Sequence, residues 1–263
     1  MNRLTIFGTG HAMTTKCYNT CFTLENDEGL MMVDGGGGNY TLTLAEKAGI
    51  DLANVHDLIV THAHTDHFLG ALWVLRALTE YEKGGECRIY SNDVVKELLV
   101  RYIDDLFFST RKKYADKNFR FIEVDDGDRA EILGMDTVFF DIHSTKAKQT
   151  GFSMTLNDGQ KFTCLGDEPY NPLCEKYVRD SDWLLAEAFC LYEDRDIYRP
   201  YEINHSTALD AGKVAQELGV KNLLIYHTED SDLEHRRERY TKEAAEHFRG
   251  NIFVPDDLDV IDL

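Results

Sequence analysis

Val60-Thr61-His62-Ala63-His64-Thr65-Asp66-His67 is the stretch on which the reading of this chain turns. An apolar run, Leu58–Thr61, ends at its start, and Phe68–Leu78, apolar on most faces, follows it. The segment is therefore predicted to carry a buried strand into a helix. Residues two apart in an extended chain project to the same side, which pairs His62 with His64. Asp66 and His67 follow as the chain turns, where neighbouring side chains point apart. One turn can thus offer His62 and His64 to a first cation and Asp66 and His67 to a second. Imidazole nitrogen with carboxylate oxygen suits zinc, at about 2.0–2.2 Å, and manganese or iron nearly as well. A lone histidine is more often structural, and His56, His235 and His247 are read so. Three histidines and an aspartate crowded at a strand end carry a desolvation cost that only binding offsets.

Four ligands do not complete two sites, and the rest of the chain supplies more. His143 follows the apolar run Thr137–Ile142, Asp167 follows Lys161–Leu165 through Gly166, and His227 follows Leu223–Tyr226. Each stands where a predicted strand runs out, on a rigid scaffold yet open to a cleft. A carboxylate can bridge two cations and an imidazole cannot. That assigns His62, His64, His143 and Asp167 to one ion, and Asp66, His67, His227 and Asp167 to the other.

Outward from these positions the pattern is strand-rich in both halves, each closing with helices. Strands are predicted at Leu4–Phe7, Cys21–Leu24, Leu30–Val33, Phe119–Val124, Phe152–Leu156, Trp183–Ala186 and Ile252–Val254. Helices are predicted at Thr41–Ala48, Asp93–Arg101, Thr207–Leu218 and Leu233–Phe248, with a mixed-charge stretch ending near Asn118. No linker or repeat interrupts the 263 residues, so one domain of two sheets between outer helices is expected. The net charge of −19 opposes nucleic-acid backbones, which would need a local basic patch. The six cysteines are scattered without a C-x-x-C pair, the opening Met1–Phe7 lacks a signal-peptide core, and no apolar run approaches a membrane span. A cytoplasmic protein with reduced thiols and no membrane partner is expected; a homo-oligomer is compatible with the sequence.

The H-x-H-x-D-H signature, followed in order by His143, Gly166-Asp167 and His227, resembles the metallo-β-lactamase superfamily nearly end to end. Within it, Ile6-Phe7-Gly8-Thr9-Gly10, Asn19 and above all Asn204-His205-Ser206-Thr207-Ala208 resemble the ribonuclease Z-like phosphodiesterase branch. The resemblance implies an α/β fold, the αββα sandwich, with the metals at one edge between the sheets. It implies that Asp34, in Val33-Asp34-Gly35-Gly36, supports the metal loop, and that His205 serves the leaving group as proton donor or phosphate contact. Ser206 or Thr207 also reads as the N-cap of the helix that follows.

Such a site implies a hydrolase using a metal-bound hydroxide between two divalent ions, zinc by default. Asp66 or Asp167 orients the nucleophile and receives its proton, and His205 protonates the departing oxygen. The favoured substrate is a small anionic phosphodiester, such as a cyclic nucleotide. A carboxylic ester, thioester or lactone is one alternative, and a tRNA 3′ end is another. Against tRNA stand the charge and the short segment between His143 and Asp167, which leaves no room for the branch's RNA-gripping arm. Gly166-Asp167-Glu168 also departs from the usual G-D-T. Lys146 and Lys148 are possible anion contacts. His11 is read as a surface-loop residue, and Tyr192, Tyr198 and Tyr201 as either a pocket wall or a packed loop.

Overall fold

The computed structural model describes residues 2–80 and 85–263. Its strands and helices run β1 (Arg3–Gly8), β2 (Cys21–Asn26), β3 (Gly29–Val33), α1 (Tyr40–Ala48), β4 (Val55–Val60) and α2 (Thr65–Leu78). Then come β5 (Cys87–Ser91), α3 (Asp93–Leu106), α4 (Ser109–Asn118), β6 (Phe119–Glu123), β7 (Arg129–Ile132), β8 (Met135–Asp141), β9 (Thr150–Thr155) and β10 (Lys161–Cys164). The chain closes with α5 (Glu175–Val178), β11 (Trp183–Glu187), α6 (Arg195–Tyr198), α7 (Ala208–Glu217), β12 (Asn222–Tyr226), α8 (Leu233–Ala244), β13 (Asn251–Phe253) and β14 (Val260–Asp262).

Two sheets result, ordered β14-β1-β2-β3-β4-β5-β6 and β13-β12-β11-β10-β9-β8-β7. The alternation of side chains along a strand sends each apolar set to a different layer. Met31 and Val33 of β3 join Phe139, Phe152, Phe162, Leu224 and Tyr226 in the core between the sheets. Leu30 and Met32, one residue out of phase, pack instead with Phe68, Val74 and Leu75 of α2. In β12 Leu224 and Tyr226 face inward, while Leu223 and Ile225 pack against Ala211 and Ala215 of α7 and Tyr240 of α8. Helix–sheet, sheet–sheet and sheet–helix interfaces together make the αββα sandwich.

The structure adds three strands that the sequence pattern hides. β5 carries Arg88 in a run too short to show a period, and its charge is met across the parallel β4–β5 pairing by the buried carboxylate of Asp57, 2.7 Å away. β7 is half polar, and β14 is a three-residue edge on β1. The mixed-charge stretch is α4, and α8 stops at Ala244, short of Phe248. α2 begins at Thr65 rather than Phe68, so Asp66 and His67 lie in its first turn.

Candidate metal centre

The turn after β4 is held by the turn after β3. Gly35 N–H donates to the carbonyl of His67, and Gly70 N–H to that of Gly36. A Cβ on Gly35 would lie 2.0 Å from the Ala71 nitrogen and one on Gly70 1.8 Å from the Gly35 carbonyl, so only glycine allows this approach. Asp34, at φ 55°, turns its carboxylate beneath the ligand turn. It accepts Thr61 N–H and Oγ1, both at 2.8 Å, and His67 Nδ1 at 2.7 Å. This fixes which ring nitrogen of His67 is free: Nε2 faces the site. His62 is fixed likewise by Thr61 Oγ1 at its Nδ1, 2.9 Å away.

Two strand ends of the second sheet complete the constellation. Asp167 follows β10 through Gly166, whose φ of 82° suits glycine, and His227 follows β12 at φ 57°. Four groups among the described residues have their candidate ligand atoms within 4.8 Å of one another: Asp34, His62 and His67; Glu187, His205 and His227; and the two that meet at the cleft, His62, His64 and Asp167, and Asp66, His67 and His227. Asp167 Oδ2 stands between these last two. It lies 3.4 Å from His62 Nε2, 4.0 Å from His64 Nδ1, and 3.6 Å from both His67 Nε2 and His227 Nε2. Asp66 Oδ2 lies 3.4 Å from His67 Nε2 and 3.5 Å from His227 Nε2. These separations exceed good hydrogen bonds but match the edge of a tetrahedron of ligands around zinc, about 3.4 Å for bonds near 2.1 Å. His67 Nε2, both nitrogens of His227 and Asp167 Oδ1 are buried without a hydrogen-bond partner among the described residues. Buried polar atoms left so are costly, and this donor set fits divalent cations.

Burial depresses the pKa of His62 and of His227, favouring neutral imidazoles with lone pairs to give. For Asp66 and Asp167 burial acts upward but is outweighed by surrounding imidazoles, His67 and His227 for the first and His62 for the second, and both stay ionised. His67 is the exception: its own burial is overcome by Asp66 and Asp34, which push its pKa up.

His143 is not gathered into either group. It follows β8 at φ 58°, its ring partly exposed with Nδ1 3.6 Å from Asp141. His205 sits in the wall beside His227, its ring 5.2 Å away and stacked at 4.8 Å on Phe189. Thr207, not Ser206, caps α7, in a reciprocal capping box with Asp210. Behind His205 lies buried Glu187, whose Oε1 accepts Ser206 N–H at 2.6 Å and whose Oε2 is 3.6 Å from His205 Nδ1. Its signal in the sequence is a carboxylate ending the apolar run Trp183-Leu184-Leu185-Ala186.

The groups open into a cleft of about 510 Å³ walled by Met13, Lys146, Phe189, Ile203 and His205, among others. His11 is in this wall, not on an outer loop. Its ring is 4.3 Å from Phe189 and 6.3 Å from His227, and Asn19 Nδ2 donates to its carbonyl at 2.8 Å. The bridge of Gly10 to both Asn19 and Thr228 pulls the opening glycine turn over the site. Burial and the neighbouring His227 and His205 lower the His11 pKa to about 4. Lys148 turns away to Asp93 and Asp125, each at 2.8 Å. Tyr198 and Tyr201 bond Glu229 and Asp210 through their hydroxyls, and neither they nor Tyr192 line the cleft. His56 bonds the Glu86 carbonyl and His235 the cap residue Asp232, and neither joins a ligand group; nor does His247. All six cysteines are free, and no described helix is long and apolar enough to cross a membrane.

The model of the family described as anti-Pycsar protein Apyc1 matches residues 2–238. Ribonuclease Z of Archaeoglobus fulgidus is 23% identical over 264 residues, covering 82% of this chain and 80% of that protein. Among solved structures, the metallo-β-lactamase fold protein YhfI of Bacillus subtilis superposes with a TM-score of 0.79 at 16% identity, over 99% of this chain and 98% of that one. Yeast PDE1 gives 0.77 at 15% identity, over 100% and 99%.

Proposed function

The chain belongs to the Apyc1 family of anti-Pycsar proteins, in the ribonuclease Z-like branch of metal-dependent metallo-β-lactamase-fold hydrolases, and on that premise we propose that it is a dinuclear phosphodiesterase cleaving a small anionic phosphodiester such as a cyclic nucleotide. The observation that carries this reading is Asp167 Oδ2, which has four imidazole nitrogens at 3.4–4.0 Å from two ligand groups. A carboxylate so placed is the natural bridge between two cations. His62, His64, His143 and Asp167 would hold one, and Asp66, His67, His227 and Asp167 the other. His143 is included for its place in the chain, just after β8 and three residues before the cleft residue Lys146. When bound, the ions supply Lewis acidity and make water acidic enough to attack near neutral pH.

The protein's own groups do the rest. Asp66, kept ionised by His67 and His227, orients the attacking water and is the first acceptor of its proton. The water's oxygen bonds to phosphorus as one ester P–O bond breaks. His205 gives the departing oxygen its proton, with Glu187 behind its Nδ1 and Phe189 under its ring fixing the imidazole plane. A cleft of this size suits a nucleotide-sized ligand. The short connections 142–149 and 156–160 and the charge of −19 favour such a substrate over a large polyanion.

A second reading, tRNA 3′-end cleavage, is supported by the relatives named ribonuclease Z. The two part on one experiment. The protein, reconstituted separately with zinc, manganese and iron, is assayed on cyclic nucleotides, bis-p-nitrophenyl phosphate, a pre-tRNA, a carboxylic ester and a lactone. Turnover of the small diesters is expected. Absence of phosphodiesterase activity in every metal form sinks the reading, and turnover of pre-tRNA alone transfers it to the second.

A further inference from the structure

Among the described residues lining the cleft, Lys146 is the one Lys or Arg, in a wall that otherwise offers carboxylates, imidazoles, the Thr65 hydroxyl and apolar side chains. We propose that Lys146 is the anion-binding residue of this site: it takes a non-bridging oxygen of the substrate phosphoryl group and selects phosphodiesters over neutral esters. The inference rests on the phosphodiesterase reading for its physiological sense, but not for its test.

Three observations carry it. First, Lys146 is held rather than waving in solvent. Ser144 Oγ accepts the backbone N–H of Lys146 and of Ala147, at 3.1 and 3.2 Å, and donates at 2.7 Å to Glu168. The same Glu168 Oε1, itself buried, lies 3.5 Å from Lys146 Nζ. Second, the lysine loop is stitched to the histidine loop at consecutive residues: Asn204 Nδ2 donates to Thr145 Oγ1, and Lys146 Nζ lies 3.3 Å from His205 Nε2. Third, that last contact has a meaning. An ammonium has only protons to give, so it donates to a lone pair on Nε2, the nitrogen that must hold a proton to serve a leaving group. Lys146 therefore occupies in the free protein the side of His205 where a phosphoryl group would sit. Entry of an anionic oxygen there gives the ammonium a better acceptor and frees Nε2 to take from water the proton it later gives to the departing oxygen. A neutral carbonyl ester gains far less from the exchange, because a charge-assisted bond to an anion is roughly twice as strong as a neutral one.

The position also accounts for a departure in the sequence. Glu168 follows the Gly-Asp of the fourth metal motif where threonine is usual, and here it provides the carboxylate that steadies Lys146. Lys148, two residues on, has no such role, being tied to Asp93 and Asp125.

The test reads anion affinity first, so it does not depend on finding the substrate. Inorganic phosphate is titrated calorimetrically into zinc-loaded wild type, K146A and K146R. K146A is expected to bind it roughly ten- to hundredfold more weakly and K146R to recover most of the loss. K148A, as the control, should match wild type. With turnover established, K146A should raise KM for bis-p-nitrophenyl phosphate by a similar factor while KM for p-nitrophenyl acetate stays within twofold. Phosphate affinity in K146A within twofold of wild type, or no phosphate binding by wild type, overturns the proposal. A wild type that binds phosphate through Lys146 yet cleaves no phosphodiester would sink the functional reading and leave the anion site standing.

Discussion

The two halves of the site are built in different ways. The first half comes from one turn: His62, His64, Asp66 and His67 follow each other off the end of β4 into α2. Their backbone is ordinary, as at His64 with φ −64°, and the one left-handed non-glycine residue nearby is the supporting Asp34. The second half draws Asp167 and His227, with His143 as the proposed third member, from three strand ends, and every one of those ends turns left-handed: at His143, at Gly166 before Asp167, and at His227. A non-glycine residue in that region costs on the order of 1–2 kcal/mol, so the sandwich must hold His143 and His227 there. Register in the second sheet thus does for Asp167 and His227 what chain continuity does for the first four. The half built by continuity is braced by Asp34 from the turn after β3. The half built by register leaves its outermost member, His143, outside both ligand groups.

Removing the carboxylate that stands between the two ligand groups should have the largest effect. Asp167→Ala is expected to lower phosphodiesterase kcat/KM on the order of a thousandfold or more and to reduce the metal bound per chain, read by plasma emission spectrometry. A variant with full metal content and near-normal turnover would separate the two halves and remove the bridge. His143→Ala probes the looser half. If His143 is a ligand, the first ion should bind roughly a hundredfold more weakly by chelator competition while the second is little changed; unchanged affinity for both ions strikes it from the set. Asp34→Ala tests the brace. Asp34 belongs to neither of the two groups that meet at Asp167 and His227, yet its loss should cost about ten- to hundredfold in affinity because His67 and the Thr61 turn lose their anchor. An effect in Asp34→Ala as large as in Asp167→Ala would mean that the brace from the β3 turn matters to the site as much as the carboxylate between the two groups.

The same contrast explains what was legible in the sequence. A strand end bearing His62, His64, Asp66 and His67 declares itself, because period and chemistry lie in one window. His143, Asp167 and His227 show only as polar residues after apolar runs, and placing them together needs the order of β8, β10 and β12 in the sheet. The αββα layering was readable from the family signature, and from β3 and β12, whose apolar residues serve both faces. β5 was not readable, because Arg88 and its partner Asp57 meet only once strands 31 residues apart in register pair. Glu187 hid for a related reason: a carboxylate is legible as functional only when the imidazole it backs, from another loop, is in view. His11 was misread because a glycine turn looks exposed until Asn19 and Thr228 fold it inward.

His11 crosses between the halves, reaching from the turn after β1 to the ring of His227, and it offers the smallest of these effects. Its pKa falls from 6.5 to about 4 on folding, first through burial and then through His227 and His205. Between those values the unfolded chain binds more protons at this residue than the folded one, so stability rises with pH across the window. The contribution is complete above about pH 6.5 and is lost as pH falls toward 4. Because the cleft is open and solvent screens the ring, the loss is on the order of 1 kcal/mol. Urea unfolding of the metal-stripped protein at pH 7.5, 6.0 and 5.0 measures it. His62 and His227, also depressed by burial, pull in the same direction, so the comparison must be with H11Q, which keeps a polar side chain that does not titrate. H11Q should lose less stability than wild type on acidification. Parallel slopes for the two proteins would return His11 to solvent and leave the cleft without its roof over His227.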